Sequence, residues 1–332
     1  MAELSREARS GRLLTAEPEP EAEEATGPAP RVRRLDIVGR RNWFFLISLI
    51  IIIPGIVSMV TRGFLLGIDF AGGTEFLVKF ENRPSLQAVE ATIARDNING
   101  YVQQTADGSF VIRATTLTPV QQQRIKDDLQ KTGGPITQYR ADSVGATVAR
   151  EIVTGALVAL VSASILILLY LAFRFRRVQG GWRSGFQFGG SALLALLHDV
   201  FLLAGIFSIL GRVFNLRIGE IDSFFLTAVL TVVGFSVHDT IVVFDRIREN
   251  MVVSNRLTFE QVVNLSIMQT AARSIITSFT VVLVLVSLLL FGGETLKGFI
   301  LALLIGIISG TYSSIFNASP LLVVWRRLQP VR

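Results

Sequence analysis

Cysteine is absent from this sequence of 332 residues, and histidine occurs only twice. Without cysteine there is no disulfide framework and no thiolate metal site. Two histidines exclude a histidine-rich metal centre. Charge is also scarce: Asp, Glu, Lys and Arg make up 17% of the chain, against about a quarter in a soluble domain. There is no Ser-His-Asp order, no cysteine nucleophile and no HExxH motif, so no enzyme, cofactor or metal is expected.

What the chain has instead is apolar length. Half of its residues are hydrophobic and its mean hydropathy is +0.52. Six runs reach the roughly 18 residues expected of a membrane-spanning helix, at about 43–61, 152–173, 186–210, 222–245, 270–291 and 298–322. The net charge is +6, and its placement reads as topology rather than a nucleic-acid footprint. With both termini in the cytoplasm, the inner flanks carry fifteen arginines. They begin with Arg31, Arg33, Arg34, Arg40 and Arg41 and end with Arg326, Arg327 and Arg332. The short outer loops carry Arg212, Arg217 and Lys297 alone, as the positive-inside rule requires. Residues 1–30, with "AEPEPEAEEATGPAP", mix Pro, Ala and Glu without periodicity and read as a disordered cytoplasmic tail. A basic flank and the first span occupy 31–61, a bundle of five further helices 151–325, and a second cytoplasmic tail 326–332.

Residues 62–150 form the one candidate soluble domain. "TEFLVKF" (74–80) alternates as a strand, and "SLQAVEATIARDN" (85–97) has helical periodicity. "YVQQT" and "SFVIRA" flank Ala106-Asp107-Gly108, a hairpin turn signal. Thr118 and Pro119 open a second helix that Gly133-Gly134 closes, and "ITQYRA" (136–141) is a last strand. The order β-α-β-β-α-β is that of a ferredoxin-like fold. The expected fold is therefore a polytopic α-helical membrane protein with six transmembrane helices and one α+β ferredoxin-like extracytoplasmic domain between the first and second spans. Nothing in that domain reads as catalytic, and contact with a partner or a passing chain is its expected task.

The chemistry-bearing residues lie in the spans. A carboxylate at the centre of a span costs about 2.5–3.5 kcal/mol on insertion scales and commonly marks a proton or ion path. Asp239 lies six residues before Asp245, about 9 Å inside the cytoplasmic edge, too deep for its side chain to reach water. It reads as a titrating group, or as a permanent polar contact between helices. Arg273 of the fifth span lies in the same leaflet and is either its partner or an anchor snorkelling to the helix end. His238, about 100° around the helix from Asp239, is either a second relay group or a packing residue. The other histidine repeats the pattern as His198-Asp199 in the third span, where a polar clamp between helices is expected. In the last span Gly306, Gly310 and Ser314 stand at four-residue spacing, a close helix-packing face. The charges of "FDRIREN" (244–250) read as a solvated helix end.

Five stretches taken together resemble the SecF family of protein-export membrane subunits, a six-span half of the resistance–nodulation–division superfamily. They are "GIDFAGGTEF" (67–76), "LLHDV" (196–200), "GFSVHDTIVVFDRIREN" (234–250), "TAARSIITS" (270–278) and "GTYSSIF" (310–316). The resemblance covers nearly all of the chain beyond the N-terminal tail. It implies a proton relay through Asp239 and Arg273, joined by His238 where the family commonly has asparagine. It also implies a motif of Gly67, Asp69, Gly72 and Gly73 where the external domain joins the first span, with Asp69 capping backbone donors. A separate SecD subunit, the SecYEG channel, the SecA motor, the translocating preprotein and the lipid bilayer are the implied partners, and nucleic acid is not. The bacterial cytoplasmic (inner) membrane is the implied location. The alternative is a proton-coupled exporter of small molecules or lipids from the same superfamily.

Overall fold

The computed structural model describes residues 36–330 apart from 97, 99, 106, 107 and 254–256. The expected tail over 1–30 and the turn residues Ala106 and Asp107 lie outside the described residues, as do Arg31, Arg33, Arg34, Arg256 and Arg332.

Six helices are long and apolar enough to cross a membrane. The first, α1 (Arg41–Arg62), covers 22 residues, about 33 Å at 1.5 Å per residue, which matches the ~30 Å hydrocarbon layer. A one-turn helix α2 (Ile68–Ala71) follows and leads into the α+β domain.

That domain runs β1 (Gly73–Phe80), α3 (Leu86–Arg95), β2 (Gly100–Gln104), β3 (Phe110–Ala114), α4 (Pro119–Gly133) and β4 (Ile136–Val144). The sheet order is β2-β3-β1-β4 with every pair antiparallel, the ferredoxin-like arrangement. Strand alternation sends Phe76, Val78, Phe80, Phe110 and Ile112 to one face. There they meet Val89 and Ile93 of α3 and Ile125 and Leu129 of α4 in one buried cluster. Ser85 caps α3, and Thr118 with Gln121 forms a capping box on α4. The opposite sheet face carries Glu75, Leu77, Gln103, Arg113 and Arg140, and it turns toward the loops of the bundle.

The remaining spans are α5 (Ala146–Arg174), α6 (Gly181–Ser208), α7 (Ser223–Val253) and α8 (Phe259–Phe291), then α9 (Lys297–Ser313), which a π turn (Ser314–Ala318) joins to α10 (Ser319–Leu328). A second π turn (Ile209–Val213) ends α6. Several helices outrun the apolar runs. α5 begins at Ala146, α7 continues to Val253 and α8 begins at Phe259, because capping and helix contacts extend them past the hydrocarbon layer.

α6, α7 and the α9–α10 segment bury 44%, 44% and 50% of their apolar windows, whereas α1, α5 and α8 bury 17%, 0% and 17%. The first three form the centre of the bundle, and the exposed apolar faces of the others are what lipid requires. Close approach is set by small residues. A Cβ on Gly55 of α1 would stand 2.8 Å from the Cα of Gly205 on α6, so only glycine fits at this crossing. Ser58 and Ser208 pair at 2.8 Å beside it.

At "FDRIREN" the charges read as solvated stay open to water, with the Arg246 and Glu249 side chains 41% and 54% exposed, while the residues among them pack. Ile247 is fully buried, Asn250 donates to Ser266 at 2.8 Å on α8, and Asp245 pairs with Arg174 of α5 at 3.1 Å. The cause is the extra length of α7 and α8, which keeps them in contact beyond the apolar run.

Candidate functional site

The centre of the bundle holds two buried carboxylates, and serines surround both. Asp239 on α7 is 8% exposed. Its Oδ1 accepts from Ser274 of α8 at 2.5 Å, and its Oδ2 accepts from Ser314, the first residue of the π turn, at 2.8 Å. Asp199 on α6 is 1% exposed. It accepts from Ser236 of α7 at 2.7 Å and from Ser309 and Ser313 of α9, each at 2.6 Å. The Nδ1 of His198 lies 3.1 Å from its Oδ1.

The spacing of α7 and α9 makes this possible. A Cβ on Gly306 would meet Val232 at 2.1 Å, and one on Gly310 would meet Ser236 at 3.1 Å. Glycine at those positions lets the helices close until serine hydroxyls reach across. The face of Gly306, Gly310 and Ser314 therefore packs on α7 as its spacing implies, but Ser314 also carries chemistry. Ser309 and Ser313 share one face toward Asp199 while Ser314 faces Asp239, so α9 and the turn that follows it serve both carboxylates. The π turn that begins at Ser314 widens the helix here, a feature common at functional positions. Within the turn Asn317 donates to Ser48 of α1 at 3.0 Å.

Arg273 takes a different place from the one its depth suggests. Ser274 faces Asp239, and one residue is about 100° of helix rotation, so Arg273 turns outward and is exposed. No ion pair joins it to Asp239 among the described residues. His238, one residue before the buried Asp239, is exposed on α7 for the same reason. His198 stays inside, its ring stacked on Tyr312 at 6.3 Å between centroids. The five serines carry no mark of their own in the sequence. Their four-residue repeats in apolar context, Ser274 with Ser278 and Ser309 with Ser313, are the available signal.

At the other end of the bundle the glycine motif makes a junction. Gly72 and Gly73 have φ of +72° and +128°, a region closed to most side chains, and a Cβ on Gly73 would stand 2.5 Å from the carbonyl oxygen of Ala114. Gly67 N donates to Ile221 O, and Ile221 N donates to Leu65 O, both at 2.8 Å. Asp69 accepts from the backbone N of Ser223 at 2.9 Å. The donor it caps is the first residue of α7, the helix that carries Asp239. Asp222 beside it accepts from Phe225 N at 2.8 Å. Burial pushes the Asp222 carboxyl above the usual aspartate range, and the charge of Asp69 adds to this.

A charge network ties the sheet to the same loop. Arg113 on β3 pairs with Glu75 at 2.7 Å and with Glu220, and Arg217 pairs with Glu75 at 2.8 Å. Burial raises the Glu220 carboxyl, against the pull of Arg113. A cavity of about 680 Å³ lies between the open sheet face and this loop, with Asp69, Glu75, Arg140, Arg217 and Lys297 on its walls. Among the described residues no cluster of His, Asp and Glu is arranged to hold a metal ion.

The family model described as protein export membrane protein SecD/SecF, C-terminal, matches residues 124–328, and the SecD/SecF GG motif matches residues 57–82. The protein translocase subunit SecF of Thermobaculum terrenum is 45% identical over 304 residues, covering 88% of this chain and 94% of that protein. The protein translocase subunit SecF of Anaerolinea thermophila is 39% identical over 297 residues, again covering 88% and 94%. The crystal structure of SecDF from Thermus thermophilus, a translocon-associated membrane protein, superposes with a TM-score of 0.76 at 30% identity. That match covers 89% of this chain, which spans 39% of the longer SecDF chain.

Proposed function

We propose that this chain, which belongs to the SecF family of protein translocase subunits, uses the proton-motive force together with a SecD subunit to promote preprotein movement across the bacterial inner membrane. SecYEG, SecA and the preprotein are the further partners of this reading. The arginine bias supports both termini in the cytoplasm and the ferredoxin-like domain outside.

The observation that carries the proposal is Asp239, buried at 8% exposure and joined at once to α8 through Ser274 and to the π turn through Ser314. A carboxylate only accepts hydrogen bonds, whereas a carboxylic acid must also donate one. A proton that takes the lone pair facing one of the two serines makes that hydroxyl turn away. Ser314 has somewhere to turn, because its hydroxyl also reaches the carbonyl of Thr311 at 3.0 Å. Loading and release of the proton thus make and break a link between α7 and the π turn. α7 begins at the Asp69 cap beneath the external domain, so a shift of this helix reaches the part of the chain that meets the preprotein. The driving force suffices: a charge crossing the field gains ~2.3 kcal/mol per 100 mV.

His238 and Arg273 are relay groups in this reading. Both are exposed on this chain, and a cation facing lipid is costly. Their exposure supports a SecD surface that covers them and completes the proton path. The cavity under the sheet has charged walls, which suit an extended polar chain better than a lipid or an apolar drug.

The test is preprotein import into inverted membrane vesicles carrying SecD and this chain. Asp239→Asn is expected to assemble normally and to abolish stimulation by the proton gradient. Full stimulation in that variant would remove Asp239 from the mechanism.

A further inference from the structure

The His198–Asp199 pair satisfies no need of the proposed relay, and its carboxylate is more deeply buried than that of Asp239. A carboxylate offers about four acceptor positions. At Asp199 three serine hydroxyls and the His198 Nδ1 take them. The carboxylate is full, and a proton added there would have to evict a donor. The bond to Asp199 also fixes the His198 tautomer, with hydrogen on Nδ1. The remaining ring nitrogen, Nε2, is buried and has no hydrogen-bond partner among the described residues.

An unpaired anion in this position is expensive. The groups able to carry charge on the elements packed around the pair are few. At the level of the pair α7 brings Asp239 and the exposed His238, with Asp245, Arg246, Arg248 and Glu249 at its far end, and α9 brings Tyr312, with Lys297 at its start. α1 brings none between Arg41 and Arg62, and α5 none between Glu151 and Tyr170. Arg212 and Arg217 lie at one end of the bundle and Arg326 and Arg327 at the other. With neutral imidazole the pair carries one uncompensated negative charge. One proton on Nε2 removes it, because the ring becomes a cation already bonded to Asp199. The vacant nitrogen and the missing positive charge coincide on one side chain, whose surface is 11% open.

We infer that His198 and Asp199 form a second proton-binding site, which takes its proton on His198 Nε2 and is coupled to Asp239 through Ser313 and Ser314. This deepens the reading of Asp239 as a proton site but is separable from it. The coupling has two routes. Ser236, which holds Asp199, lies three residues before Asp239 on α7. Ser313 and Ser314 are adjacent, and each serves a different carboxylate. A change of occupancy at either acid pulls on the same turn of α9.

The two histidines of the chain make the test direct. The full chain, labelled with nitrogen-15 in histidine and placed in lipid nanodiscs, gives imidazole signals from His198 and His238 alone, and His238→Asn assigns them. The expected result is a His198 Nε2 signal that passes from bare to protonated over roughly pH 5 to 9, while Nδ1 stays protonated throughout. Asp199→Asn is expected to abolish this transition. Asp239→Asn is expected to keep it but to move its midpoint by about one pH unit, and Ser313→Ala to remove most of that movement. A Nε2 signal that stays bare across the range would make the pair a fixed clamp and overturn the proposal. A midpoint indifferent to Asp239→Asn would overturn the coupling. Sodium ions shifting the His198 signals at constant pH would assign the site to a metal cation instead. The spectra are independent of export, so failure of Asp239 in the vesicle assay and failure here remain distinguishable.

Discussion

Ser313 and Ser314 are consecutive, yet their hydroxyls go to different carboxylates, Asp199 at 2.6 Å and Asp239 at 2.8 Å. Each residue turns a helix by about 100°, so neighbouring side chains on one helix face different partners. α9 sits between α6 and α7 at this level and links the two acids where its backbone widens into a π turn.

The two serines are unequal in what they leave behind. Ser314→Ala reduces Asp239 to a single hydroxyl donor, Ser274. Ser313→Ala leaves Asp199 with Ser236, Ser309 and His198. An undersupplied buried acceptor costs about 1–3 kcal/mol. Ser314→Ala is expected toward the upper end and Ser313→Ala toward the lower. Thermal unfolding of the two variants in the same detergent measures the order, and the reverse order would contradict the hydrogen-bond assignment.

The double glycine should respond just as unevenly. Gly72 and Gly73 both have positive φ, but a Cβ on Gly72 finds its nearest neighbour at 3.4 Å, while one on Gly73 meets the Ala114 carbonyl at 2.5 Å. Gly72→Ala is expected to cost about 1–2 kcal/mol of backbone strain. Gly73→Ala adds a collision with β3 and should separate β1 from its neighbour. Limited proteolysis of the domain between α1 and α5 reads the difference as faster cleavage in Gly73→Ala.

Much of this was legible in the sequence. Apolar runs marked the six helices, alternation marked β1, and a turn signal marked β2 and β3. Asp239 announced itself as an acid in an apolar run. The serines did not, because serine inside a helix usually bonds back to its own turn. Ser164 and Ser287 do so with the carbonyls of Leu160 and Leu283. Nothing local separates them from Ser274 or Ser314. The directions of Arg273 and His238 were hidden for a related reason. Depth in the membrane follows from chain position, but rotation about the helix axis follows from packing, of α8 against α7 and α9 and of α7 against α6, α8 and α9.

Acidity acts on the junction beneath the sheet with a definite sign. The folded Asp222 carboxyl lies above its unfolded value, through burial first and Asp69 after it. Such a group contributes stability that is full below the unfolded value and is lost as pH rises through the folded one. Stability is therefore expected to fall from the acid range toward neutrality at this site. Asp222→Asn keeps an acceptor for the N-terminal turn of α7 and removes the charge. It should raise stability at neutral pH and flatten the dependence, as followed by unfolding midpoints across pH. A steeper dependence would contradict the assignment.

Arg113 holds the sheet to the bundle. Its side chain is 8% exposed and lies between Glu75 and Glu220, which belong to opposite sides of that contact. Removing one partner of a buried ion pair costs about 3–5 kcal/mol when the other is left alone; here Glu75 keeps Arg217, and Glu220 loses its nearest cation. Arg113→Met should therefore loosen the domain without unfolding the spans, and adding Glu220→Gln should restore part of the loss. The absence of native cysteine makes this measurable. The Gln103 side chain donates to the Asn215 carbonyl at 3.2 Å across the same contact, so a cysteine pair there reports docking through a short thiol-specific cross-linker. Cross-linking should be efficient in the parent, weak in Arg113→Met and intermediate in the double variant. Equal yields in all three would mean that the apolar and backbone contacts of residues 65–73 hold the domain on their own.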